Sequence, residues 1–262
     1  MCPEIFGLPS YGLICAIGMG AAVTFCFMRT DRQGLSLRNL IGFLCCAFAG
    51  MVAGAKLVFF ISRLPYLWEI SASAEDYVRE LVESGYVFYG GVLGAYAGML
   101  IRCRITDMPA EPALNFFTPA FALFHAIGRI GCFCAGCCYG VETEHLGFVM
   151  DGVRRFPVQL VESFFEYVMF AALLIVGRAA REKKKSPKLS FLYLMSYSVV
   201  RFILEFLRGD EARGFFGPLS TSQWIALIVV TVGIISRLVL SRDPRGNAQK
   251  CPKCRPSKLS DK

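Results

Sequence analysis

The chain has 262 residues, of which 55% are apolar or aromatic and 18% charged, with a formal net charge of +8. Mean hydropathy is +0.51, and a soluble fold of this length would need far more polar surface to cover its core. Composition therefore excludes a soluble enzyme, a disordered chain and a fibrous protein. Long apolar runs also argue against an outer-membrane barrel, whose strands are short and alternating.

A bilayer core of roughly 30 Å takes about 20 residues of helix. Runs of that order fall at Tyr11–Met28, Leu40–Ile61, Tyr86–Ile101, Leu114–Phe133, Val158–Gly177, Leu189–Leu207 and Ser222–Leu240. The expected fold is all-α: a polytopic helical membrane protein of about seven transmembrane helices, with six as the neighbouring count. Residues 1–240 read as a single transmembrane domain with outer loops at about 62–85 and 136–156. Residues 241–262 read as a flexible basic cytoplasmic tail. The opening MCPEIFG carries no cation, so the first span is expected to be retained rather than cleaved as a leader.

Orientation follows from Lys and Arg. With the N-terminus outside, 19 of the 28 cations fall in cytoplasmic segments and six in outer ones, so the C-terminus is cytoplasmic. Those basic clusters face anionic headgroups of membrane lipids, and the net charge calls for no nucleic-acid partner. Glycines four apart, at Gly50 and Gly54 and again at Gly90, Gly94 and Gly98, read as close helix packing.

Three cations fall within spans, where a charge costs roughly 2.5–3.5 kcal/mol on insertion scales. They are Lys56, Arg129 and Arg201. Arg201 and Glu205 are one helical turn apart, with Arg208 a further turn on, which suits an ion pair or an anion site. His125 stands one turn before Arg129. The stretch GRIGCFCAGCCYG holds Gly128, Gly131, Gly136 and Gly140, poor helix material that suits a turn whose N–H groups hold an anion beside a cation. Buried arginines in a protein bathed in phospholipid suggest a phospholipid headgroup as ligand.

Twelve cysteines are present. Cys132, Cys134, Cys137 and Cys138 cluster near the outer end of the fourth span. Cys134 and Cys137 have the C-x-x-C spacing of a redox pair, which leaves a membrane thiol–disulfide oxidoreductase as an alternative function. A non-catalytic lipid-binding or transport protein is another. Metal binding by the four clustered thiols is a further alternative, although their spacing matches no closed tetrahedral site; Cys251 and Cys254 form half of one, and neither metal nor cofactor is expected.

HAIGRIGCFCAGCCYG resembles the signature of the prolipoprotein diacylglyceryl transferases, in their GCCYG form. Tyr11-Gly12, GAKLVFF, VFYGGVLGA, RFILEFLRGD and LSTSQW resemble further blocks in the family's order, over roughly residues 9 to 230. The resemblance implies a bacterial cytoplasmic (inner) membrane protein. It would transfer a diacylglyceryl group from phosphatidylglycerol to the lipobox cysteine thiol of prolipoprotein signal peptides, with glycerol phosphate leaving. It implies catalytic roles for Arg129, Arg201 and Glu205; Tyr89 and His125 are candidates for the proton acceptor, as is no protein base at all, the precursor thiol ionising near the arginines. Gly128, Gly131, Gly140, Tyr11, Lys56 and Arg208 are implied alongside Arg129 in binding phosphatidylglycerol. The sequence departs from the better-studied form at four positions. Tyr89 stands for a histidine, Cys132 for an asparagine, Cys137 for a glutamate and Lys56 for an arginine.

Overall fold

The computed structural model describes residues 4–5, 7–33, 35–69, 73, 75, 77–79, 88–150, 152–183, 186–210 and 215–242. Seven long helices are described: α1 (Ser10–Gln33), α2 (Leu37–Glu69), α3 (Phe88–Ile105), α4 (Ala110–Ala135), α5 (Val158–Glu182), α6 (Leu189–Leu204) and α7 (Thr221–Arg242). Short antiparallel hairpins join β1 (Glu4–Ile5) to β2 (Leu8–Pro9), β3 (Phe148–Met150) to β4 (Val153–Arg155), and β5 (Phe215–Phe216) to β6 (Leu219–Ser220). Among the described residues, five segments are long and apolar enough to cross a membrane: 10–30, 37–61, 110–135, 158–182 and 189–207. The last turn of α3 holds Arg102 and Arg104, and the apolar part of α7, Thr221–Ser236, is shorter. The chain is a multi-pass helical membrane protein.

α5 shows why the helices bury as they do. Glu162 and Glu166 are fully buried, whereas Phe164 and Ile175 on other faces are 71% and 69% exposed. Lipid accepts the apolar face and the charges turn inward, the reverse of a soluble amphipathic helix.

Two compact units emerge, one of residues 1–193 with 207–211 and the other of 194–206 with 212–262. In the first, α4 packs against α1 and α5, and α2 packs along α3. The α2–α3 seam is glycine on glycine. A Cβ at Gly50 would strike the Gly94 carbonyl, and one at Gly54 would strike the Gly90 carbonyl. Buried Asn115 on α4 receives the Leu189 N–H at 2.8 Å and donates to the Pro187 carbonyl, tying down the start of α6. In the second unit, Ser220 and Gln223 exchange backbone and side-chain hydrogen bonds at 2.9 and 3.2 Å to start α7.

Helix ends differ from the sequence expectation. α2 continues to Glu69, past Ile61, and α3 begins at Phe88. After Leu204 the chain tightens into a 3₁₀ turn over Glu205–Leu207.

Candidate functional site

α4 ends at Ala135, immediately before a glycine. Gly136 takes the left-handed conformation (φ 73°). Its N–H bonds to the Phe133 carbonyl at 3.2 Å and the Cys137 N–H to the Cys132 carbonyl at 3.1 Å. This double cap is a Schellman motif, for which glycine at the left-handed position is the usual choice. The next residues, Cys137 and Cys138, are thereby folded back over the last turn of α4.

Arg129 lies about two turns before Gly136 and one before Cys132, whose carbonyl the cap uses. Its Nη2 donates to Glu162 Oε2 on α5, and its Nη1 approaches Cys132 Sγ at 3.8 Å. One turn earlier, His125 is boxed in. Its Nδ1 is 3.1 Å from Glu166 Oε1 and 3.2 Å from the Tyr193 hydroxyl, and its Nε2 is 3.9 Å from Glu162 Oε1. Tyr193 in turn donates to the Glu166 carboxylate at 3.0–3.1 Å. Ser163 bonds to the Ala126 carbonyl at 2.7 Å, locking α5 to α4 in this register. Gln159 donates from Nε2 to the Cys137 carbonyl at 2.8 Å. Thus Gln159, Glu162, Ser163 and Glu166, spaced three and four apart, present one polar stripe to α4. Two carboxylates facing an arginine and a histidine in a near-dry interior hold both side chains in place.

Sequence reasoning named Arg129 and His125 but missed Glu162, Glu166, Tyr193 and Gln159. The signal was present: VQLVESFFE places two acids one turn apart within an apolar run, as costly in lipid as an arginine.

The other expected site residues fall as follows. Tyr11 lies beside Gly131, whose added Cβ would sit 3.5 Å from the Tyr11 ring. A Cβ at Gly128 would meet nothing within 4 Å, so the helix surface there is open. Gly140 is enclosed by backbone instead: an added Cβ would strike the Phe156 carbonyl and lie 2.9 Å from the Leu207 carbonyl. It forms a bridge with Arg208, flanked by bonds between Val141 N–H and Leu207 O and between Gly209 N–H and Tyr139 O at 2.9 and 3.0 Å. Close backbone approach accounts for that glycine. Arg208 makes a two-point pair with Asp210 at 2.8 and 2.6 Å, a partner the sequence reading did not name. Lys56 is half-buried on α2. Tyr89 falls in the first turn of α3, and its side chain lies outside the described residues. In the second unit, Arg201 and Glu205 are buried and paired at 2.8 Å, and Arg201 Nη2 reaches Ser222 Oγ at 3.4 Å.

The thiols that converge are those of Cys132, Cys137 and Cys138, whose sulfurs lie within 4.8 Å of one another. Cys134 is not part of that group; two positions along α4 from Cys132, it points about 200° away. The thiols that group are thus a trio without Cys134, the residue that shares the C-x-x-C spacing with Cys137. Cys138 adopts φ 56°, left-handed for a residue with a side chain. Hydrogen bonds from Cys132 and Cys137, then the charges of Arg129 and Arg208, hold its thiol well below the usual range against the effect of burial. Cys137, as donor to Cys132 and Cys138, is pushed up.

The family model for prolipoprotein diacylglyceryl transferase matches residues 4–239. A Clostridium tetani phosphatidylglycerol–prolipoprotein diacylglyceryl transferase is 32% identical over 241 residues, covering 88% of this chain and 93% of the relative. A Clostridium perfringens protein named as the second such transferase is 30% identical over 242 residues, covering 88% and 91%. A Finegoldia magna transferase of the same name is 25% identical over 238 residues, covering 90% and 93%. With the match running almost from end to end and taking in the whole of the α4–α5 site, the chain belongs to the prolipoprotein diacylglyceryl transferase family.

Proposed function

We infer that this chain transfers the diacylglyceryl group of phosphatidylglycerol to the lipobox cysteine thiol of prolipoproteins in a bacterial inner membrane. In that reaction sulfur attacks an sp³ glyceryl carbon, the carbon–oxygen bond to phosphate breaks, and glycerol phosphate leaves as a thioether forms. Negative charge grows on the phosphate oxygens, so a fixed cation aimed at them lowers the barrier. The observation that carries this reading is Arg129, held by buried Glu162 beside a glycine-rich helix end within the family match.

Arg129 takes the phosphate. Within the second unit Arg201, paired with Glu205, carries the further catalytic role that the family resemblance implies. The open face at Gly128, together with Tyr11, Gly131 and Lys56, receives the rest of the lipid. Arg208 and Gly140 shape the turn that carries the cysteines, and His125 positions Arg129 through the shared carboxylates. The chain crosses the membrane seven times, α3 and α7 included, with its N-terminus outside and its C-terminus in the cytoplasm.

The test is transfer from phosphatidylglycerol micelles to a lipobox peptide, read by peptide mass. Wild type adds a diacylglyceryl mass, and Arg129→Ala lowers the rate by about 100-fold or more. Arg129→Lys, which keeps the charge but loses the planar fork, falls between. Lipid binding by wild type without any transfer would overturn the assignment.

A further inference from the structure

We propose that Cys132, Cys137 and Cys138 bind one zinc ion through three thiolates, and that its open fourth position takes the acceptor thiol. The second half rests on the transferase reading above; the first stands without it.

Three thiol sulfurs already lie within 4.8 Å of one another. Zinc–thiolate bonds of about 2.3 Å in a tetrahedron separate sulfurs by roughly 3.8 Å, so closure needs about 1 Å or less of side-chain movement. Backbone structure is committed to the arrangement. The Schellman cap clamps the Cys137 N–H to the Cys132 carbonyl, Gln159 holds the Cys137 carbonyl, and Cys138 sits at φ 56°. A left-handed conformation is unfavourable for an ordinary L-residue, so the surroundings must impose it. A disulfide suits the trio poorly. Neighbouring Cys137 and Cys138 have Cα atoms about 3.8 Å apart, below the usual disulfide range, and a Cys132–Cys137 bridge would leave Cys138 over.

Thiolate sulfur selects soft or borderline ions, zinc among them. Three thiolates on a divalent ion carry one net negative charge, and Arg129 lies against it, with Nη1 3.8 Å from Cys132 Sγ. Such a donor to a ligand sulfur orients the ligand and moderates its charge. Cys132 is buried and Cys137 exposed, so the trio is closed on the protein side and open on the other. Three protein ligands with one open position is the arrangement of a catalytic zinc.

The fourth position meets a chemical need. His125 is 7% exposed and faces two buried carboxylates, so it is poorly placed to take a proton from an incoming peptide. Zinc does the same work directly, because a coordinating thiol is deprotonated. The acceptor thiol binds as thiolate and its proton goes to water. The sulfur then attacks the glyceryl carbon, the carbon–oxygen bond breaks, and glycerol phosphate departs with the electron pair beside Arg129.

Full-length protein purified from zinc-supplemented cells is analysed for metal, for intact mass and for transfer. Wild type should carry one zinc per chain with all three thiols reduced. Cys137→Ser/Cys138→Ser should lose the zinc, keep phosphatidylglycerol binding, and lose about 100-fold or more in transfer. Cobalt exchanged into wild type should show thiolate charge-transfer absorption that strengthens when a lipobox peptide is added, a readout independent of turnover and of any variant's folding. Absence of zinc from wild type, a Cys132–Cys137 disulfide, or zinc retained by the double variant overturns the proposal. Full-rate transfer after chelation overturns it too, and leaves the transferase function standing. Bound zinc and bound lipid without transfer overturn the transferase function and leave the metal site standing.

Discussion

Glu162 is fully buried, carries a formal charge and faces both Arg129 and His125. Taking one partner from such a pair strands the other, at a cost of about 3–5 kcal/mol, whereas replacing both is far milder. Glu162→Gln should therefore lower the thermal midpoint in micelles markedly and depress transfer as Arg129 loses its anchor. Arg129→Gln/Glu162→Gln should recover much of the midpoint but none of the activity. Recovery of both would mean that the pair serves only packing. The two halves of this pair were unequally legible. Arg129 stands in a glycine-rich motif, and the positive-inside rule directs the eye to Lys and Arg. Glu162 and Glu166 escaped because that rule gives acids little weight, although burial cost depends on charge and not on its sign. Tyr193 had no sequence signal at all, since an aromatic in an apolar span is ordinary and only its neighbours reveal the bonded hydroxyl.

At the scale of elements, glycines divide by what surrounds them. Gly94 faces the Gly50 carbonyl across the α2–α3 seam, whereas Gly128 faces open space. Gly94→Ala must push the helices apart; overpacking typically costs about 1–3 kcal/mol, and a backbone obstacle cannot rotate away. Gly128→Ala should gain roughly 0.5–1 kcal/mol of helix propensity. The thermal midpoint should fall for the first and hold or rise for the second. If the open face at Gly128 receives phosphatidylglycerol, the second variant raises KM for the lipid while staying stable; an unchanged KM removes Gly128 from the binding surface. The α2–α3 seam was legible, because a four-residue glycine period is a local pattern with one meaning in lipid. The bridge of Gly140 to Arg208 and the β3–β4 hairpin were not. They depend on pairing between segments distant in sequence or too short to show alternation.

For the whole molecule, hydropathy located the helices because lipid sets their length and forbids unsatisfied backbone within it. It could not locate their ends, as in α2, where helix persists to Glu69 beyond the apolar run. Orientation rests on a different force. The proposed topology puts 19 cations in cytoplasmic segments and six in outer ones, and the reverse topology would carry that excess of charge across the bilayer. α5 offers a direct test, since Glu144 precedes it in an exposed turn and Lys183 follows it on an exposed end. A protease recognition sequence is inserted after Glu144 in one variant and after Lys183 in another. In sealed right-side-out vesicles, protease added outside should cut the first and spare the second until detergent is added. The reverse pattern would invert the topology and put the cysteine turn on the cytoplasmic face, away from exported precursors. Cleavage of both in sealed vesicles would remove α5 from the membrane, and its fully buried carboxylates would then have to be explained without lipid.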